Sequence, residues 1–307
     1  MSPAVRTAVD LGRGLVLRNP LLTASGTFGY GLEFEPFLDL ARLGGIVVKG
    51  ISPKERSGNA PARIIETPSG MLNAIGLQNI GVMRFVQEKL PALRERDTAL
   101  IVNVFGNSID DYVTVVEQLE AEEGIAALEL NLSCPNVEEG GLEIGRSPRS
   151  IEQVTHAVRQ RTRRALWVKL TPNVSDISET ARAAVSGGAD AVSLVNTYVG
   201  MVIDVERRRP VLSHGHGGLS GPAIRPLAIA AVYQVCQAVD VPVIGIGGIV
   251  AARDVVEFMM AGARAVQVGT ANYNDPAIAA KLVDGLVEWC AAHEVADVNQ
   301  LVGAAQQ

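Results

Sequence analysis

Short apolar runs alternate with longer amphipathic ones along most of the chain. Runs rich in Val, Ile, Leu and Ala, bounded by glycine or polar residues, predict buried strands. They fall at Leu21–Ala24, Gly45–Lys49, Ala99–Val104, Ala126–Asn131, Leu166–Leu170, Ala191–Asn196, Pro242–Ile246 and Ala265–Gly269. Between them, apolar positions recurring every third or fourth residue predict helices near 33–43, 79–95, 108–122, 150–164, 177–188, 222–238, 251–262 and 276–293. Eight strands, each followed by a helix, is the count of a (β/α)8 TIM barrel, an α/β fold. An open doubly wound sheet alternates in the same way, and the count of eight favours the barrel. Val5–Val9 and Gly14–Leu17 flank Asp10-Leu11-Gly12-Arg13, which predicts a short N-terminal β-hairpin outside the barrel. No linker or composition shift divides residues 1–307, so they read as a single domain. Stretches 51–78 and 197–221 carry Gly, Pro, Ser and Asn without a clear period and read as long active-site loops.

Composition narrows the class. The 307 residues suit one barrel, which typically needs about 250. Hydrophobic residues make up 48% and aromatics 4%, so Val, Ile, Leu and Ala must build the core, as in buried parallel strands. Charges sum to −6 with no basic run, which argues against nucleic acid as a partner. No uninterrupted apolar stretch is long enough to span a membrane, and Met1–Asp10 lacks the order of a signal peptide. Cys134, Cys236 and Cys290 are widely spaced, form no CxxC pair and point to a reducing, cytoplasmic setting.

The polar positions then cluster at strand ends. Lys49, Asn103, Asn131, Lys169 and Asn196-Thr197 close successive strands, and Ser25 follows the first. A barrel gathers these ends into one bowl, where its chemistry is done. Each amide taken singly could mark no more than a strand exit. Two lysines ending buried strands are costly unless something anionic or electron-rich lies above them. Glu129-Leu130-Asn131-Leu132-Ser133-Cys134-Pro135-Asn136 concentrates amides, a hydroxyl and a thiol at the fourth strand's exit. Cys134 sits there in a polar loop, where a tuned thiol can act as a base; a structural thiol is the rival reading. His156, His214, His216 and His293 are not placed beside it by the pattern. Cys236 and Cys290 read as buried filler. The last two strands end in Gly245-Ile246-Gly247-Gly248 and Gly269-Thr270, a location that suits backbone binding of a phosphate. The spacing is not that of the dinucleotide fingerprint. Asn73-Ala74-Ile75-Gly76-Leu77-Gln78-Asn79 offers amides to a flat polar ligand. His214 and His216 lack acidic or Cys partners, so no metal is expected. Glu120–Glu123 reads as a solvated helix end.

In combination these motifs resemble the dihydroorotate dehydrogenases, FMN-dependent (β/α)8 enzymes of pyrimidine synthesis, over nearly the whole chain. The resemblance rests on Thr23-Ala24-Ser25-Gly26, Val48-Lys49-Gly50, the 73–79 loop, Asn131–Asn136 and Lys169-Leu170-Thr171-Pro172-Asn173. Asn196-Thr197, Gly217-Gly218-Leu219-Ser220-Gly221, Gly247-Gly248 and Gly269-Thr270 follow in order. It implies that Cys134 removes the C5 proton of dihydroorotate while the C6 hydride passes to flavin N5, with Lys49 beside both. It implies contacts to FMN from Ser25, Lys49, Gly50, Asn103, Asn131, Lys169, Val195 and Gly221, with Lys169 stabilising the reduced flavin. Gly247, Gly248, Gly269 and Thr270 would hold the phosphate. Asn73, Asn131, Asn136, Asn196 and Thr197, with Ala74, Ile75, Gly76 and Leu77, would hold the substrate.

The Met71–Asn79 and Asn136–Gly141 stretches are similar to the class 1B catalytic subunit, which implies a homodimer core and a partner subunit. That partner would carry FAD and a [2Fe–2S] cluster and deliver electrons to NAD+, completing a heterotetramer. The chain itself has neither a nicotinamide fingerprint nor a cysteine set for a cluster. Glu143-Ile144-Gly145-Arg146 departs from the small and aromatic pattern the resemblance leads one to expect. The alternatives are a class 1A fumarate-reducing homodimer, a dihydropyrimidine dehydrogenase, or a flavin-binding subunit without its own catalysis.

Overall fold

The computed structural model describes residues 5–132 and 144–306. All eight predicted strands form, as β1 (Leu21–Thr23), β2 (Gly45–Val47), β3 (Ala99–Val104), β4 (Ala127–Asn131), β5 (Ala165–Lys169), β6 (Ala191–Leu194), β7 (Val243–Ile246) and β8 (Ala265–Val268). Each pairs in parallel with the next, and β8 returns to β1, closing the barrel. The apolar runs are continuous because these strands are covered on both sides. Register sets Asn103 beside Glu129, Asn131 beside Lys169, and Lys169 beside Ser193. Alternate residues along a strand share a face. Glu129 and Asn131 on β4 and Trp167 and Lys169 on β5 therefore share the barrel interior.

Caps start several of the helices where the sequence offers them. Ser108 accepts from the Asp111 amide before Ile109–Glu120, Ser147 from Ser150 before Pro148–Arg159, and Asp176 from Ser178 before Ile177–Ser186. Two predicted helices differ. Region 33–43 holds only two 3₁₀ turns, Leu32–Phe34 and Leu40–Arg42. Pro36 interrupts the backbone donors between them, and Asp39 starts the second turn by accepting from the Ala41 amide. Region 79–95 is helical as Val82–Arg84 and Leu90–Arg94, with a wider π segment, Phe85–Lys89, between. Pro91 cannot donate to the ladder, which opens just ahead of it. A short helix, Ala271–Asn274, follows β8 directly.

The two stretches read as loops are partly strands. Tyr198–Gly200, Gly217–Ser220, Gly70–Asn73 and Ile64–Thr67 form a four-stranded antiparallel sheet, in that order. The glycines that suggested loops permit close packing instead. A Cβ on Gly218 would stand 2.0 Å from Thr197 Oγ1. Ile203–Asp204 and Arg209–Pro210 add a second hairpin. The N-terminal hairpin forms as Val9–Asp10 against Val16–Leu17. The acidic run after Ile109–Glu120 is partly ion-paired: Glu120 lies 3.3 Å from Arg164, and Glu122 meets Arg94.

Candidate active site

The carboxyl ends of the barrel strands surround a cavity of about 400 Å³, and the four-stranded sheet contributes to its wall. It is the place where a parallel barrel can expose polar groups without breaking its ladders. Lys169 ends β5 at the cavity floor. It is only 5% exposed, and its Nζ lies 3.2 Å from Ser25 Oγ. Burial pushes the Lys169 ammonium below the usual lysine range, and the negative charge of Glu129 opposes that fall. Lys49, just past β2, is half-buried. Burial lowers its pKa, the nearby Arg63 charge lowers it further, and Glu33 opposes both.

Amides occupy the remaining strand ends. Asn103 donates through Nδ2 to Glu129 Oε1 at 2.7 Å, while its Oδ1 is buried without a partner. Gly50 leaves room beside it, since a Cβ there would come within 2.8 Å of that oxygen. Asn196 Nδ2 donates to Asn131 Oδ1 at 3.3 Å, and Tyr112 donates its hydroxyl to the Asn131 carbonyl at 2.7 Å. Asn73 Nδ2 reaches the Gly218 carbonyl at 3.4 Å, across the side sheet to which both residues belong. Across the cavity, Gly221 and Gly248 adopt φ of 95° and 74°. Thr270 donates its hydroxyl to Ser220 Oγ at 2.8 Å. Glycine backbones with positive φ, next to the N-terminal turn Pro222–Ile224, can present N–H groups to an anion.

Every described residue that the family resemblance assigned to cofactor or substrate borders this one cavity. Of those expected to contact a flavin, Ser25, Lys49, Gly50, Asn103, Asn131, Lys169, Val195, Gly221, Gly247, Gly248, Gly269 and Thr270 line it. Of those expected to contact a substrate, Asn73, Ala74, Ile75, Gly76, Leu77, Asn196 and Thr197 line it as well. Cys134 and Asn136 lie outside the described residues. Sequence reasoning passed over Arg56, Asn59 and Tyr273, and weighed His214 and His216 only as metal ligands; all five also border the cavity. Their only signal was position, within or beside the glycine-rich stretches. Asn59 donates to the Ala74 carbonyl at 2.9 Å and thereby shapes the 73–79 loop. Among the described residues there is no group of three or more metal-ligating side chains. Cys290 is fully buried, and burial pushes the Cys236 thiol up to about 12, so neither resembles an activated thiol.

A closed parallel barrel with two partly desolvated lysines and converging amides defines an α/β-barrel enzyme with its reaction centre at the strand ends. A family model described as Dihydroorotate dehydrogenase matches residues 11–289. The chain is 53% identical over 304 residues to the "Dihydroorotate dehydrogenase B (NAD(+)), catalytic subunit" of Trichlorobacter lovleyi, covering 99% of each. It is 52% identical over 300 residues to the protein of that name from Porphyromonas gingivalis, covering 98% of each. The chain belongs to the dihydroorotate dehydrogenase family. The crystal structure of the Eimeria tenella enzyme in complex with ferulenol superposes with a TM-score of 0.81 at 22% identity, covering 98% of this chain and 89% of that one. That likeness concerns the fold.

Proposed function

We propose that this chain is the catalytic subunit of a class 1B, NAD-linked dihydroorotate dehydrogenase, which oxidises (S)-dihydroorotate to orotate in de novo UMP biosynthesis. The observation that carries the reading is the convergence of Lys49, Lys169 and the amides of Asn73, Asn103, Asn131 and Asn196 on one cavity. The near full-length identity to relatives named as the NAD(+) catalytic subunit supports it. In this reading residues 1–307 form one FMN-binding barrel domain, working in the cytoplasm.

The cavity fits FMN on three counts. Asn103 Oδ1 is a buried acceptor in need of an N–H. Lys169 is a buried cation in need of electron density. A Cβ on Gly248 would stand 2.8 Å from the Gly221 carbonyl, so only a bare backbone leaves the surface on which a phosphate can sit. When bound, FMN supplies the acceptor for the hydride leaving C6 of the substrate. Ser25, Lys49, Gly50, Asn103, Asn131, Val195 and Gly221 would then hold the ring system, and Gly247, Gly248, Gly269 and Thr270 the phosphate. Lys169 would offset negative charge at the ring edge, where a buried cation acts strongly. Asn73, Asn131, Asn136, Asn196 and Thr197, with the backbone from Ala74 to Leu77, would orient the pyrimidine and its carboxylate. Cys134 would take the C5 proton; Lys49 would stabilise charge developing next to it.

The reading includes a homodimer core and a partner subunit with FAD and a [2Fe–2S] cluster, through which NAD+ is reached. The test is orotate formation by the chain alone and after co-expression with an FAD/iron–sulphur partner, with NAD+ or fumarate as acceptor. NAD+-dependent turnover only with the partner is expected. Brisk fumarate turnover by the chain alone would assign class 1A instead.

A further inference from the structure

Glu129 lies inside a strand whose other residues are apolar up to the terminal Asn131, and it has no solvent exposure. A carboxylate in that position is costly unless donors surround it. Three other strands supply them. Oε1 accepts from Asn103 Nδ2 at 2.7 Å; Oε2 accepts from Ser193 Oγ at 2.8 Å and from Gln267 Nε2 at 2.6 Å. Those partners stand on β3, β6 and β8, so the bonds cross the barrel interior rather than running along one face.

Two consequences reach the cavity. The first concerns the Asn103 amide, which has only two ends. Its NH2 group is committed to Glu129, so its carbonyl oxygen is the end left over, buried and unpartnered at the cavity floor beside Gly50. An amide turned the other way would set an N–H against cavity ligands and a carbonyl against the carboxylate. The second consequence is charge. Lys169 pairs in register with Ser193, whose hydroxyl donates to Glu129 Oε2, so the carboxylate lies one residue across the barrel from the lysine. Burial drives the Lys169 ammonium towards its neutral form, and the negative charge of Glu129 opposes this. A carboxylate serving only to tie strands together would require neither arrangement.

We infer that Glu129 is a positioning residue for the flavin site: it turns the Asn103 carbonyl oxygen towards the cavity as an acceptor for a ligand N–H, and it is the buried counter-charge of Lys169. The inference rests on the FMN reading above, whose ring carries an imide N–H. Glu129 does not border the cavity itself and acts through the two residues that do.

The test is a double-variant cycle on FMN affinity, measured by titrating the apoprotein with FMN and following quenching of flavin fluorescence. The variants are Glu129→Gln, Lys169→Met and the two combined. Each single change is expected to weaken FMN binding by about tenfold or more, because each strands a buried partner. The combined variant should bind about tenfold better than the product of the two losses predicts, as interacting sites do. Additive losses, or Glu129→Gln with wild-type affinity, would overturn the inference. If Glu129→Gln does not fold, Gln267→Met serves. Gln267 does not line the cavity, and its side-chain amide donates to Glu129. It should still weaken FMN binding at least about threefold, within the range of a single buried hydrogen bond. An unchanged affinity there overturns the inference equally. A wild-type chain that takes up no FMN would overturn the flavin reading together with this one, whereas additivity in a chain that binds FMN removes the inference alone.

Discussion

Replacing Gly248 with alanine perturbs the proposed phosphate cradle at a point where the cost can be worked out. Gly248 sits at φ 74°, where any side chain costs about 1–2 kcal/mol. The added Cβ would also lie 2.8 Å from Arg225 Cβ and 2.8 Å from the Gly221 carbonyl oxygen. Neither neighbour can retreat freely. Arg225 is held by Asp254, and its Nε lies 3.7 Å from Glu257. Gly221 is backed by Gly70, whose Cα would be 2.9 Å from a Cβ on Gly221. Overpacking of this kind adds about 1–3 kcal/mol. The total is about 2–5 kcal/mol, felt as lost fold stability, as displaced N–H groups and weaker FMN binding, or as both. Urea unfolding of the FMN-saturated protein reads the sum; unfolding of the apoprotein reads the first part alone. Each 1.4 kcal/mol that passes to binding appears as about tenfold in Kd. Gly14→Ala is the control, because Gly14 has φ 75° with no atom within 4 Å of the added Cβ, and it isolates the backbone cost. If Gly248→Ala is no more damaging than Gly14→Ala, the close-packed cradle is refuted.

Two further predictions concern the proposed chemistry. Cys134→Ala should leave FMN bound and slow flavin reduction by dihydroorotate by about 10²-fold or more in stopped-flow experiments, the scale for losing a general base. Unchanged reduction would remove the base assignment. Because burial lowers the pKa of Lys169 from its usual 10.5, the folded apoprotein binds fewer protons than the unfolded chain between the lowered value and 10.5. Stability should therefore rise with pH across that window, and Lys169→Met should flatten the rise in urea unfolding followed from neutral pH to about 10. Equal slopes would contradict the desolvated lysine.

The barrel was legible because its strands are buried on both faces and end abruptly in Lys49, Asn103, Asn131, Lys169 and Asn196. Apolar continuity and polar termination are local signals, and a single sequence carries them well. The 33–43 helix was misread because an apolar period survives there while Pro36 removes a donor the helix needs. The strands within 51–78 and 197–221 were missed because their glycines report close approach of backbones, which looks the same in sequence as a flexible loop. Glu129 was invisible for a different reason. Its donors lie 26, 64 and 138 residues away in the chain, so no window around it hints at satisfaction. The positions bordering the cavity were recovered by motif resemblance as much as by period, and Arg56, Asn59, His214, His216 and Tyr273 fell outside those motifs.

The most direct test of the central claim is the visible spectrum of the purified chain before and after anaerobic addition of dihydroorotate. The account predicts flavin absorption bands that bleach on addition of the substrate, because in the proposed reading one cavity holds both the flavin and the dihydroorotate that gives up its hydride to it. A protein with no flavin bands after supplementation with FMN, or one whose bands persist with dihydroorotate present, would contradict it.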